Sequence, residues 1–185
     1  MRAPIFAVFL TIASAMSLRV TADGAAGFLC EGMDNGSSAA TTFRLLAGEQ
    51  EIASGPCGLP RTIPAGSYEA LFVLDGAIDT PLRREHIEAQ LGQTAEVQIN
   101  YETGELVVEV TRGGRRSVGM VRVLRNGKPI ASVGAGSANR LSTGSYGIEV
   151  ESRGENRRLE AVTIVRGERR VLVADFAEVS GKSSQ

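Results

Sequence analysis

Of the 185 residues, His86 is the only histidine and Cys30 and Cys57 are the only cysteines, so nucleophilic or metal chemistry has few places to reside. A Ser-His-Asp or Cys-His enzyme would rest on His86 alone, in the run Leu82-Arg83-Arg84-Glu85-His86-Ile87-Glu88. No Ser or Cys nearby sits in a nucleophile motif, so His86 reads as a surface or edge-strand histidine. Two cysteines and one distant histidine make a poor metal set. Asp75-Gly76-Ala77-Ile78-Asp79 and Glu31-Gly32-Met33-Asp34-Asn35 carry closely spaced oxygens, yet neither follows a calcium-ligand pattern. Gly134-Ala135-Gly136-Ser137-Ala138-Asn139 lacks the third glycine of a phosphate loop and runs into a strand, which removes the helix N-terminus that binds phosphate. No catalytic residue, metal or cofactor is expected.

The first segment reads as an export signal. Arg2 precedes an uncharged run from Ala3 to Leu18, and small-residue cleavage patterns follow at Ala13-Ser14-Ala15 and Val20-Thr21-Ala22. Cleavage after Ala22 leaves the apolar region whole, so residues 1–22 are assigned as a signal peptide. The run is shorter than the ~20 residues of a membrane-spanning helix. An exported chain meets an oxidising compartment, where Cys30 and Cys57 pair. Closing that loop stabilises by roughly 3 kcal/mol. Lipidation at Cys30 is disfavoured by Leu29 before it and by its distance from the apolar run. Asn35-Gly36-Ser37 fits a glycosylation sequon, which marks an exposed loop.

The remainder is two copies of one unit. Phe43-Arg44-Leu45-Leu46 through Ile52-Ala53-Ser54 matches Val121-Arg122-Val123-Leu124 through Ile130-Ala131-Ser132 at an offset of 78 residues. The same offset carries Gly66-Ser67-Tyr68 onto Gly144-Ser145-Tyr146. After a three-residue deletion, Leu91 through Tyr101 falls on Arg166 through Phe176. The expected division is 23–103 for the first unit, 104–179 for the second and 180–185 for a polar tail.

Each unit has the signature of strands. Tyr146, Ile148 and Val150 alternate with Gly147, Glu149 and Glu151, the period of a half-buried strand. Asn126-Gly127 favours positive φ at both central turn positions, so Lys128-Pro129-Ile130 should return as a hairpin partner. Leu159–Val165 and Arg170–Phe176 are expected to form a final hairpin across Arg166-Gly167. Only 81–91 could hold a helical turn. The 22 glycines and 5% aromatics also favour short strands and turns. The expected fold is all-β, two tandem small antiparallel β-sandwiches of the Ig-like or prealbumin-like kind.

Gly66-Ser67-Tyr68 and Gly144-Ser145-Tyr146 have the form of a tyrosine corner, in which the hydroxyl bonds back to the preceding connection. With Gly104-Glu105-Leu106-Val107-Val108, Val121–Gly127, Leu141–Tyr146 and Val171–Phe176, the second unit resembles bacterial prealbumin-like sandwich repeats. These are PEGA-type and carboxypeptidase-regulatory-like modules; the first unit resembles them more loosely. The chain departs in lacking a literal Pro-Glu-Gly-Ala run and in carrying a Cys pair in one unit. The resemblance implies a binding, spacing or assembly module of the bacterial envelope and transfers no catalytic residues.

A net charge of −1 hides an asymmetry. Residues 23–103 hold four basic and twelve acidic side chains, a net of −8; residues 104–185 hold fourteen and nine, a net of +5. Three readings follow: a solvated surface, electrostatic pairing between units or head-to-tail between molecules, and a docking surface for an envelope protein or anionic envelope polymer. The basic face expected to bind comprises Arg115, Arg116, Arg157, Arg158, Arg169 and Arg170. Export and few aromatics near these arginines argue against nucleic acid. The leading reading is an exported, non-enzymatic envelope binding or assembly module, periplasmic or extracellular. The alternatives are a carbohydrate- or small-ligand-binding sandwich and, behind it, a hydrolase using acidic residues.

Overall fold

The computed structural model describes residues 24–177, so the assigned signal segment 1–22 and the tail 180–185 lie outside the described residues. Every regular element among them is a strand. In the first half these are β1 (Ala25–Asp34), β2 (Ser37–Ser38), β3 (Thr41–Ala47), β4 (Gln50–Pro56), β5 (Arg61–Pro64), β6 (Gly66–Leu74), β7 (Leu82–Ala89) and β8 (Thr94–Tyr101). The second half repeats them as β9 (Thr103–Arg112), β10 (Arg115–Arg116), β11 (Met120–Arg125), β12 (Lys128–Gly134), β13 (Ala138–Ser142), β14 (Gly144–Ser152), β15 (Glu155–Ile164) and β16 (Arg169–Phe176).

Each half forms two sheets. One has the order β4-β3-β6-β7, all antiparallel; in the other, β1 pairs antiparallel with β2 and β5 and parallel with β8. The second half has β12-β11-β14-β15 and, around β9, the strands β10, β13 and β16. The fold is the tandem all-β sandwich that the repeat and the family resemblance implied. Alternation drives it: Tyr68, Ala70, Phe72 and Leu74 of β6 are buried, as are Tyr146, Ile148 and Val150 of β14. Two apolar clusters result. Phe28 packs on Phe43 at 5.0 Å between ring centroids in the first, and Val123, Leu141 and Ile148 lie in the second.

The Asn126-Gly127 turn has φ values of 52° and 74°, and Arg125 pairs with Lys128 across it, as that dipeptide predicts. One expectation fails. The β15–β16 hairpin does not form, because Arg166-Gly167-Glu168 carries the chain into the other sheet. There Glu105 N–H donates to Glu168 O at 2.8 Å and opens the parallel ladder of β16 on β9. Residues 82–89 form strand rather than helix: Ile87 and Ala89 point inward at a spacing of two while Arg84, Glu85, His86 and Glu88 face solvent.

Cys30 and Cys57 form a disulfide with Cα atoms 5.0 Å apart, joining β1 to the connection after β4. Gly58 N–H donates to Cys30 O and Cys57 N–H to Thr41 O. The same backbone bonds recur 78 residues later, from Gly136 to Val108 and from Ala135 to Gly119. The second unit thus keeps the frame with Val108 and Ala135 where the first has its cystine.

Candidate functional site

The three-residue difference between the copies has a structural meaning. The second unit joins β14 to β15 through the tight turn Arg153-Gly154; the first joins β6 to β7 through residues 75–81. That longer loop reaches the second unit. Ile78 N–H donates to Arg140 O at 3.0 Å, and the Ile78 side chain packs against the second apolar cluster.

Asp79 follows, its side chain 0% exposed, and meets a prepared socket. Its Oδ2 accepts from Arg125 Nη2 at 2.8 Å and from the Tyr146 hydroxyl at 3.0 Å, and the Ser142 N–H lies 3.2 Å from both carboxylate oxygens. Arg125 also donates to the Tyr146 hydroxyl and lies over its ring, 4.9 Å from the centroid. Tyr146 can donate one proton, shared between Asp79 and Ser142 O at 2.8 Å. Burial, then the adjacent Asp79 carboxylate, push the Tyr146 hydroxyl up to about 12, with Arg125 opposing. Ser142 O is the tyrosine-corner partner four residues back; in the first unit, Tyr68 donates to Pro64 O at 2.7 Å. That earlier corner cannot take an acid, since Ala47 stands in place of Arg125 and Pro64 has no N–H. The socket is therefore unique to the second unit, and the joint cannot be propagated head to tail.

A second seam runs beside it. Thr103 Oγ1 donates to Asp34 Oδ2 at 2.5 Å; Asn35 Nδ2 donates to Thr103 O at 2.9 Å and Thr103 N–H to Asn35 Oδ1 at 3.2 Å. Ion pairs Arg140–Asp34 at 3.6 Å and Arg166–Glu102 at 3.2 Å complete it. A cleft of about 340 Å³ opens here, lined among others by Asp34, Glu105, Arg140, Glu168 and Arg169. Its charges are mixed. Among the described residues no group of three or more His, Cys, Asp or Glu side chains could hold a metal ion.

The charge asymmetry is thus engaged in part inside the molecule. Arg125, Arg140 and Arg166 of the basic half pair with Asp79, Asp34 and Glu102 of the acidic half. None of the six arginines expected to bind takes part. All six are exposed, but they do not form one cluster. Arg115 and Arg116 sit on β10 beside the far end of β9, where Arg116 pairs with Glu109 at 2.9 Å. Arg169 and Arg170 start β16 near the joint, where Arg169 pairs with Glu105 at 2.9 Å. These pairs lie opposite Thr111 and Glu105 of β9, roughly 20 Å apart at ~3.3 Å per residue. Arg157 and Arg158 belong to the other sheet: Arg157 donates to Asp175 O of β16 at 2.6 Å, and Arg158 lies 3.7 Å from Glu149.

His86 has neighbours that sequence spacing did not indicate. Ser67 Oγ lies 3.1 Å from its Nε2, and Glu88 Oε1 lies 2.7 Å from the same nitrogen. Hydrogen bonds from Ser67 and His86 hold the Glu88 carboxyl below its ordinary range. A catalytic triad needs the acid on one ring nitrogen and the nucleophile on the other. Here one nitrogen meets both groups, and the proton it gives Glu88 leaves it no lone pair for Ser67. All seven aromatic residues among those described, including Phe28, Phe72, Tyr101 and Phe176, are buried, so none offers a face for stacking a sugar.

No family profile and no curated protein sequence matches the chain. Solved structures resemble it in shape. A putative adhesin from Bacteroides ovatus shares 8% identity over 85% of this chain and 89% of its own, with a TM-score of 0.46. GBS52, the minor pilin of Streptococcus agalactiae, shares 13% over 85% and 97%, with a TM-score of 0.40. The Bacillus anthracis TIE protein shares 14% with a TM-score of 0.37; the match covers 84% of this chain but 34% of that protein's. Likeness at this level supports no functional argument.

Proposed function

We propose that the chain is an exported, non-enzymatic binding or assembly module of the bacterial cell envelope, built of units 23–103 and 104–179. Its partner is an envelope protein or an anionic envelope polymer. The observation that carries the reading is the division of labour among the arginines. Arg125, Arg140 and Arg166 pair across the joint, while Arg115, Arg116, Arg157, Arg158, Arg169 and Arg170 lie exposed outside it, four of them also touching acceptors in their own half: Arg116 on Glu109, Arg157 on Asp175 O, Arg158 near Glu149 and Arg169 on Glu105. Exposed guanidinium groups suit carboxylate and phosphate partners because their forked donors match those acceptors. The Cys30–Cys57 disulfide fits an oxidising compartment. Rigid sandwich cores holding variable edges and turns are a common basis for binding.

Cell fractionation tests this reading. The tagged protein should appear in the envelope fraction with its amino terminus at Asp23. Replacing the six arginines with Ser should move it to the soluble exported fraction. Envelope association unchanged by that replacement would remove the basis for the proposal.

A further inference from the structure

Among the described residues, strand β16 is laddered on one side only, with β9. Glu168 O and Phe176 O turn toward the β9 side, accepting from Glu105 and Gly113, whereas Asp175 O turns away and accepts from Arg157. Backbone groups alternate along a strand, so the N–H and C=O of Arg169, Val171 and Val173 and the N–H of Asp175 face the open edge, while Asp175 O is taken by Arg157. The side chains of these four residues also share the sheet's outer face, where Val171 and Val173 are 51% and 54% exposed. Val107 of β9 lies beside Val171 but is itself buried, 4% exposed, so the exposed apolar strip is Val171 and Val173. The matching outer row on β8 is Thr94, Glu96, Gln98 and Asn100, which is polar throughout. The apolar edge therefore belongs to the second unit alone.

We infer that this edge is a homodimer interface, in which β16 of one molecule pairs antiparallel with β16 of a second copy. Charge and apolar order single out the register. With Leu172 on the two-fold axis, each Val171 opposes a Val173 and each Arg169, which pairs with Glu105 in its own molecule, opposes an Asp175, whose Oδ1 accepts from Thr111, so the basic and acidic ends face each other beside these contacts. Moving the axis to Val173 would keep a Val173–Val173 contact but set each Val171 against an Asp175 and leave Arg169 opposite Ala177, losing the charge match. No proline or lysine blunts the edge between Arg169 and Phe176. The Arg157 contact at Asp175 O marks the outer limit of the open stretch. This contact differs from the Asp79 joint, which operates within one molecule.

Sedimentation velocity of the purified protein over a concentration series is the test, with thermal unfolding run on each variant as a folding control. A reversible monomer–dimer equilibrium is expected. Val173→Lys, at a position that packs against no core, should leave the protein folded and monomeric. Arg169→Asp or Asp175→Arg alone should weaken the dimer by about ten-fold, through two like-charge cross-strand pairs per dimer. The double replacement should restore it. A protein that stays monomeric up to millimolar concentration overturns the inference. So does a dimer indifferent to Val173→Lys, or a double variant no tighter than the single ones.

Discussion

The Asp79 carboxylate, wholly buried, is bonded at 2.8 Å to Arg125, which stands in the other unit of the repeat. A buried charge without a partner is costly, and this one lies in a loop too short in the second unit to be copied there. The acidic unit supplies the plug and the basic unit the socket, so this pair joins the two units across their contact.

Removing the plug should therefore uncouple the units. Asp79→Ala leaves Arg125, the Tyr146 hydroxyl and the Ser142 N–H without their shared acceptor. Since Arg125 is 40% exposed and can regain water, the expected cost is about 2 kcal/mol rather than the larger figure for a fully buried pair. Urea unfolding should change from one cooperative transition to two, with neither sandwich lost at the outset.

The two tyrosine corners should respond unequally to loss of the hydroxyl. Tyr68→Phe removes one bond, to Pro64 O, and should cost about 1 kcal/mol. Tyr146→Phe also takes a donor from Asp79 and an acceptor from Arg125, and should cost about 2 kcal/mol. Equal losses would show that Tyr146 contributes only to its own unit.

Alkali should unfold the protein before its tyrosines ionise freely. Burial raises all three: Tyr101 and Tyr146 to about 12 and Tyr68 in the same direction, from an ordinary value of 10.0. The native state thus holds these protons more tightly than the unfolded chain. That stability is complete below pH 10 and is lost as pH rises toward 12. Tyrosinate absorbance should rise together with loss of the β-sheet circular dichroism signal; ionisation near pH 10 in a folded protein would contradict the burial.

Reduction should act on the first unit. The Cys30–Cys57 bond closes a loop of sequence separation 27 and contributes about 3 kcal/mol. Cys57→Ser should lower the first unit's denaturation midpoint and leave the second, which has Val108 and Ala135 at those places, near its original value.

Much of this fold was legible because it rests on local rules. The 78-residue offset, the Asn126-Gly127 turn, both tyrosine corners and the cysteine pair all follow from short-range chemistry. Pairing of distant strands was not legible: nothing in Leu159–Phe176 says that β16 joins β9 rather than β15. The joint left a readable trace that period and motif rules do not weigh. Loop 75–81 holds the residues absent from the second unit, and Arg125 and Ser142 replace Ala47 and Pro64 where its acid must land. The exposed arginines were identifiable by type, but their distribution over two sheets depends on that same long-range pairing.

The most direct measurement is binding of the purified protein to washed cell envelopes across a sodium chloride series, alongside the variant with Ser at positions 115, 116, 157, 158, 169 and 170. The account predicts that the wild-type bound fraction falls steeply with salt and that the variant binds weakly at every salt concentration. Equal binding by the two proteins, with no salt dependence, would contradict it.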